Sequence, residues 1–366
     1  MMRKPQLQWS IMDTYILKKF LGSVFYSIAL LMTIIIVFDI SEKIQSFMDN
    51  GVPVGIIITK YYFNFIPYFV NLFFPLFTFI SVIWFTSKLS GRNEIISFFN
   101  GGISFYRFLY PYIAGALILC FFSMAMANFL VPETNAGMYR FKDVYLNRHH
   151  NITSTNIHFK NSRDSYVFVQ RWRKQAGEGD QFTYEVFGKE KLECKIRAEH
   201  IRYNPSAKTW TMETYLIRTF PDGKEKIVSG ARKDTTFSFL PEDFSKDVSV
   251  SETMAYRELK KFIKKEKAKG SSLVKSFEIE QNKRLANPVS IIVMTLLGLC
   301  VAARKTRRGV GVHIFVGLFF VFTFIFLQQV STVFAVSEAL SPAMAIWLPN
   351  LIYLVICVIM LIATPK

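Results

Sequence analysis

Phe20-Leu-Gly-Ser-Val-Phe-Tyr-Ser-Ile-Ala-Leu-Leu-Met-Thr-Ile-Ile-Ile-Val-Phe38 runs nineteen residues without a charge. A helix of that length covers roughly 28 Å, close to the hydrocarbon thickness of a bilayer. Five further apolar stretches follow, Val54–Phe85, Phe108–Val131, Pro288–Ala303, Val310–Val336 and Ala343–Ala363. The one from Pro288 is short and borrows the turn before it. A polar block of roughly 150 residues separates the third from the fourth, far more than a loop between adjacent spans needs. The pattern predicts an α-helical polytopic membrane protein of six transmembrane helices with one inserted domain. The first run is too long for a signal peptide, and Asp39-Ile-Ser-Glu42 after it offers no small-residue cleavage site, so it reads as an uncleaved helix.

Positive residues in short loops stay in the cytoplasm. Arg3, Lys4, Lys18 and Lys19 precede the first span, Lys88, Arg92 and Arg107 follow the second, and Arg304-Lys-Thr-Arg-Arg308 follows the fourth. The loop after the first span holds Asp39, Glu42 and Asp49 against Lys43. Both termini are therefore expected in the cytoplasm and the inserted domain outside. Of the net charge of +17, +9 lies between Glu133 and Arg284 and +8 elsewhere, so topology accounts for about half of it. No nucleic-acid partner is implied; the exported excess faces lipid head groups or simply solvent. Cys120, Cys300 and Cys357 lie in apolar runs and Cys194 stands alone in the insert, so no disulfide is expected there.

Trp9, Ile11, Met12, Tyr15 and Ile16, interspersed with Asp13, Lys18 and Lys19, suit an interfacial helix running into the first span. Pro67, Asn71 and Pro75 predict a kinked second span. From Ser154 the period becomes two. Residues 165–170, 182–187, 192–197, 209–212, 215–220 and 235–239 read as strands, with turn signals at Gly177–Asp180, Asn204-Pro-Ser206 and Pro221-Asp-Gly223. So many short strands suggest an antiparallel sandwich or jelly roll. Tyr166, Phe168, Phe182 and Tyr184 are expected on one side of the sheet, as a closed core or an acyl-chain groove. A capping box at Ser249 and Glu252 opens a helix with an apolar stripe of Leu259, Phe262 and Ile263, a lysine-rich remaining face and a stop at Gly270. A second helical stretch, 273–284, feeds the fourth span.

No phosphate-binding loop, zinc-spaced Cys/His set or Gly-x-Ser-x-Gly elbow is present. Ionisable residues inside the spans amount to Lys60 and, near an end, His313, which argues against an ion-driven carrier. The remaining candidate is the cytoplasmic loop Arg92-Asn-Glu-Ile-Ile-Ser-Phe-Phe-Asn-Gly-Gly102. Ile95, Phe98 and Phe99 share a helical face, and a Gly-Gly stop follows. Such a helix rests on lipid or docks a soluble partner, with Glu94 pairing a basic residue.

These residues resemble the LptF/LptG permeases, the membrane half of the ABC transporter that extracts lipopolysaccharide. The likeness lies in Met12-Asp-Thr-Tyr-Ile-Leu-Lys18, in Pro67, Asn71 and Phe73-Phe-Pro75, in Arg92-Asn-Glu94 followed by Gly102, in Tyr203-Asn-Pro205 with Lys208-Thr-Trp210, and in Lys283 ahead of Pro288. The Arg-x-Glu spacing favours the G-type. The resemblance implies a membrane half over 1–131 with a coupling helix at about 90–102, a jelly-roll-like periplasmic β domain over 132–250, connecting helices over 251–284 and a second membrane half over 285–366, in the inner membrane. It implies lipopolysaccharide as cargo, a homologous LptF-like permease as heterodimer partner, an LptC-like periplasmic bridge, and an LptB-like cytoplasmic ATPase that holds the ATP, with no cofactor on this chain. Arg92, Glu94, Phe98 and Gly102 are then the ATPase-coupling residues. Some members carry lysines where the first span leaves the membrane and a basic residue at the place of Tyr68; this chain has Asp39, Glu42 and Tyr68, leaving Lys43 and Lys60 for head-group contact. A membrane enzyme acting on lipid carriers and a membrane-anchored envelope scaffold are the alternatives; the first lacks convergent carboxylates or histidines and the second has no use for six spans.

Overall fold

The computed structural model describes residues 9–146, 153–162, 164–174, 176–188, 191–221, 224–244, 248–271, 273–303, 310–337 and 339–363. Arg3, Lys4, His149, His150, Asp222, Gly223 and the basic run 304–308 lie outside them. Among the described residues, six helices are long and apolar enough to cross a membrane: Ile11–Asp49, Val54–Gly91, Phe105–Leu146, Val274–Ala302, Gly311–Val336 and Pro342–Ile362, spans one to six below. Span one takes in the expected interfacial helix without a break. The chain forms two units, one of Met1–Met48, Pro53–Met138 and Glu278–Lys366, the other of Asp49–Val52 and Tyr139–Phe277.

In the membrane unit burial ranks the spans. Span four is 72% buried over its most apolar window and span five 22%, so span four is the central post and span five lies outermost. Phe79 and Ile83 of span two, Met294 and Leu297 of span four, and Tyr353 and Cys357 of span six form one core. Gly298 allows this approach, since a Cβ there would meet Val82 Cγ1 at 3.2 Å and the Phe79 ring at 3.3 Å. Phe315, Phe319, Phe322 and Phe326, at alternating spacings of four and three, stay exposed along one face of span five. Pro67 and Pro75 sit inside span two without ending it. Among the described residues of this unit, two wide π turns interrupt the regular helix, Ile57–Tyr62 in span two and Met126–Leu130 in span three; a third, Lys142–Leu146, ends span three. Close to each of the first two, an asparagine side chain takes up a backbone carbonyl: Asn64 Nδ2 donates to Lys60 O and Asn128 Nδ2 to Met124 O, both at 2.7 Å.

The other unit is built on six antiparallel strands, β1 Thr153–Ser162, β2 Ser165–Arg173, β3 Glu178–Gly188, β4 Lys191–Asn204, β5 Thr209–Thr219 and β6 Lys226–Thr235. They pair in sequence order, β1-β2-β3-β4-β5-β6. The all-β insert stands, but its described strands form an up-and-down meander rather than the interleaved order of a jelly roll. Short connections dictate this: Asn204 Oδ1 accepts from Ser206 N (3.1 Å) and Ala207 N (3.4 Å), closing the β4–β5 turn locally. The two expected strands 209–212 and 215–220 are one, Thr209–Thr219, whose register with β4 is the same at Glu213 and at Tyr215 on either side of Thr214, a residue at φ 50°.

The expected shared side for Tyr166, Phe168, Phe182 and Tyr184 is wrong. The register pairs Val167 with Tyr184 and Val169 with Phe182, so the β3 aromatics share a face with the valines while Tyr166 and Phe168 point the other way. The buried face carries Val167, Val169, Trp172, Phe182, Ile201 and Trp210. What covers it is the segment read as a strand at 235–239. Only Thr235 is in β6; Phe237, Phe239 and Phe244 instead fold over the sheet, and Trp210 Nε1 donates to Phe239 O at 3.3 Å. The helix after it is also two pieces, Ser249–Glu252 and Tyr256–Ala268, and Glu252 in the first takes a hydrogen bond from Tyr139 Oη at 2.5 Å. Leu259 and Ile263 bury against Phe277, Gly270 at φ 62° ends the turn, and Lys260, Lys261, Lys264 and Lys267 are exposed.

Trp210→Ala removes a side chain from the buried face and should cost about 3–5 kcal/mol. Phe168→Ala, on the opposite face, should cost well under half of that. Thermal unfolding of the purified full chain, followed by proteolysis within the sheet, measures both, and equal losses would return Phe168 to the core.

Candidate partner-docking site

Span two ends at Gly91, and the chain reverses at Asn93, whose φ of 61° places it in the left-handed region that asparagine tolerates. The helix Glu94–Asn100 follows at once. Glu94 opens it, where a negative charge meets the positive end of the helix dipole. Gly102, at φ 82°, closes it: Gly102 N–H donates to Phe99 O at 3.0 Å and Ile103 N–H to Phe98 O at 3.2 Å, the paired bonds of a Schellman stop. Ser104 then caps span three by accepting from Arg107 N at 3.3 Å.

The apolar face of this helix is covered by its own chain. Ile95 is 1% exposed. The Phe98 ring lies 6.2 Å from that of Phe108, and the Phe99 ring lies 6.4 Å from Phe105 and 5.9 Å from Phe108. Phe98 therefore seats the helix on span three. Arg92, Ile96, Ser97, Asn100 and Gly102 are exposed, and Glu94 lies at the edge between the two faces. Its carboxylate accepts from Tyr15 Oη at 3.2 Å and stands 4.0 Å from Arg92 Nη1.

A second tie sets the start of span one. Asp13, fully buried, takes hydrogen bonds from Ser10 N (2.7 Å) and Ser10 Oγ (2.9 Å), while Asp13 N donates to Ser10 Oγ at 3.4 Å, a reciprocal capping arrangement. The same carboxylate is gripped by both terminal nitrogens of Arg107, one at 2.6 Å. Arg107 also lies 5.3 Å from the Tyr110 ring, which meets Trp9 edge-on at 5.6 Å. Spans one and three and the short helix are thus fastened at one end through Asp13, Arg107, Tyr15 and Glu94. The Ser10-x-x-Asp13 signature was available in the sequence as a cap; the arginine 94 residues away was not.

The two lysines assigned to head groups differ. Lys43 pairs with Asp39 and donates to Tyr61 Oη at 2.7 Å, and Tyr62 Oη donates to the other Asp39 oxygen at 3.1 Å. Lys60 is exposed, and no ion pair engages its ammonium among the described residues. Elsewhere carboxylates of the sheet are held by basic side chains: Asp180 by Arg173 (2.9 Å) and Arg171 (3.2 Å), Glu178 by Arg202 (2.5 Å), Glu185 by Lys195 (2.5 Å). His200 Nδ1 lies 3.0 Å from Asp180. Burial pushes the Cys194 thiol up, away from thiolate reactivity. No group of three or more His, Cys, Asp or Glu fit for a metal exists among the described residues.

The family described as lipopolysaccharide export system permease LptF/LptG matches residues 14–363. The chain is 23% identical over 348 residues to the lipopolysaccharide export system permease protein LptG of Haemophilus influenzae, covering 94% of this chain and 96% of that protein. It is 20% identical over 293 residues to LptG of Escherichia coli, covering 78% and 79%. With a match that runs through all six spans and the inserted sheet, the chain belongs to the LptF/LptG family of lipopolysaccharide export permeases.

Proposed function

We propose that this chain is the G-type permease of an inner-membrane ABC transporter that extracts lipopolysaccharide, powered by a separate cytoplasmic ATPase that docks on the helix Glu94–Asn100. The observation that carries the reading is the seating of that helix. Its apolar side is largely used up internally, so what it offers a partner is a polar rim of Arg92 and Glu94 together with the exposed Ile96. A helix resting on lipid has the opposite need, an apolar face left open. Family membership supports the rest of the assembly in this reading, a homologous LptF-like permease completing the cavity and an LptC-like protein continuing the path outside, and the lysines and arginines of the short loops support both termini in the cytoplasm. Hydrolysis of ATP on the partner moves the short helix, and the Asp13–Arg107 and Tyr15–Glu94 ties pass that motion to spans one and three. The half-buried Glu94 is the coupling contact. Lys60 supplies a cationic contact for the anionic head group, with Lys43 held beside Asp39.

Glu94→Arg should release the ATPase subunit on co-purification, since breaking a desolvated charge pair costs about 2–5 kcal/mol. Tyr15→Phe, which leaves the carboxylate in place, should retain it. Full binding and export by Glu94→Arg would refute the docking role.

Arg107→Met strands a buried carboxylate, at a cost of about 3–5 kcal/mol. It should lower the thermal midpoint of the chain and uncouple basal from glycolipid-stimulated ATP hydrolysis, and the double variant with Asp13→Leu should recover much of the stability.

Lys60→Gln should weaken glycolipid stimulation of hydrolysis more than Lys43→Gln does. Unchanged stimulation in the double variant would assign both lysines to anchoring.

A further inference from the structure

Two cavities of the membrane unit meet end to end. One, open to solvent, lies between the start of span one and the end of span two, and its wall carries Lys18, Lys19, Lys88 and Arg92 against a single carboxylate, Glu94. Lys18, Lys19 and Lys88 are exposed, and no carboxylate pairs with any of the three among the described residues. The other cavity lies deeper between spans one, two and five and is walled by Leu30, Leu31, Ile80, Ile83, Ile314 and Leu318. Tyr26 and Trp84 belong to both. Their rings stack with centroids 6.3 Å apart and planes 21° apart, and the Lys88 ammonium sits 5.1 Å from the Trp84 ring.

The order along the helices is cations, then an aromatic pair, then an apolar groove. This is the polarity profile of one membrane leaflet, in which tryptophan and tyrosine settle at the head-group boundary. From Lys19 to Leu31 span one rises about 18 Å, against about 15 Å for half of a hydrocarbon core. We propose that this composite groove binds one anionic glycerophospholipid. Its phosphate sits among Lys18, Lys19 and Lys88, its glycerol lies against Tyr26 and Trp84, and one acyl chain fills the space between spans one, two and five. Only the naming of this leaflet as cytoplasmic rests on the orientation proposed above. A phosphate held there bridges spans one and two beside Tyr15 and Glu94, so occupancy stiffens the seat of the docking helix. The charge complementarity selects an anion, and the apolar depth selects a lipid over free phosphate.

Native mass spectrometry of the detergent-purified full chain tests this, with phosphatidylglycerol and phosphatidylcholine of identical acyl chains as probes. Three surface cations facing the phosphate should favour phosphatidylglycerol by at least about tenfold. Lys18→Gln, Lys19→Gln and Lys88→Gln together should abolish that preference; these exposed changes leave the fold intact. Ser27→Trp, which fills the apolar cavity, should reduce retention of phosphatidylglycerol while the cations remain. Equal affinity for the two lipids, or an undiminished preference in the triple variant, overturns the proposal. So does inorganic phosphate displacing the lipid as well as excess phosphatidylglycerol does, which would make this an ion site, or loss of the lipid on assembly with the homologous permease, which would make it a subunit interface. The measurement needs no ATPase, so it stands or falls separately from Glu94→Arg.

Discussion

Hydrocarbon offers no hydrogen bonds, so every polar group that enters it has to find its partner inside the protein. The spans are tied by that requirement. Ser23 meets Ser81 at 2.6 Å, Thr86 meets Tyr112 at 3.0 Å, Ser87 meets the His313 ring at 2.9 Å, and Asn350 donates to Ala286 O at 3.1 Å. These pairs link span one to two, two to three, two to five and six to four. Apolar contact alone holds helices in lipid weakly, since lipid tails are as apolar as leucine. A small set of hydroxyls, amides and one imidazole therefore fixes which helix neighbours which, and close approaches such as Gly298 then fill in around them.

The spans were legible because transfer into lipid depends on composition, which a sequence displays directly. The pairs were not, because a serine in an apolar run looks the same whether it faces a partner or its own carbonyl. The sheet divides the same way. Strands with alternation were readable, but parity was not: the choice between Val167/Val169 and Tyr166/Phe168 as the inward set follows from pairing with β3, and size favoured the wrong pair. β6 escaped notice because almost every residue in it is exposed, including Ile227 and Val228, so it carries no inside and outside to alternate. Phe237 and Phe239 looked like strand residues for the opposite reason, since a segment lying across a sheet also needs apolar side chains.

At the helix Glu94–Asn100 the residues Arg92, Glu94, Phe98 and Gly102 were visible, and the chain brings them together. Their division of labour was hidden. Phe98 belongs to the foundation, Gly102 to the stop, and Arg92 and Glu94 to the rim. A period of 3.6 tells which residues share a face, not whether that face meets lipid, a partner or the preceding residues of the same chain. Arg107 supplies the missing information from the next span, and nothing local to it points at Asp13.

The π turns at Ile57–Tyr62 and Met126–Leu130 have a consequence for how these helices change over time. Each wide turn holds one residue more than a regular turn, and that residue sets the rotation of everything beyond it by about 100°. With the buried length Phe63–Gly91 held by its neighbours, deleting it would swing the residues before the turn, Val54–Ile56, to a new direction and disturb Tyr61 and Tyr62 within the turn, where Lys43 and Asp39 meet them. An insertion elsewhere in the same turn would do the reverse. Length variation in this stretch is thus a means of re-aiming side chains at the membrane boundary while the buried half of the helix keeps its register.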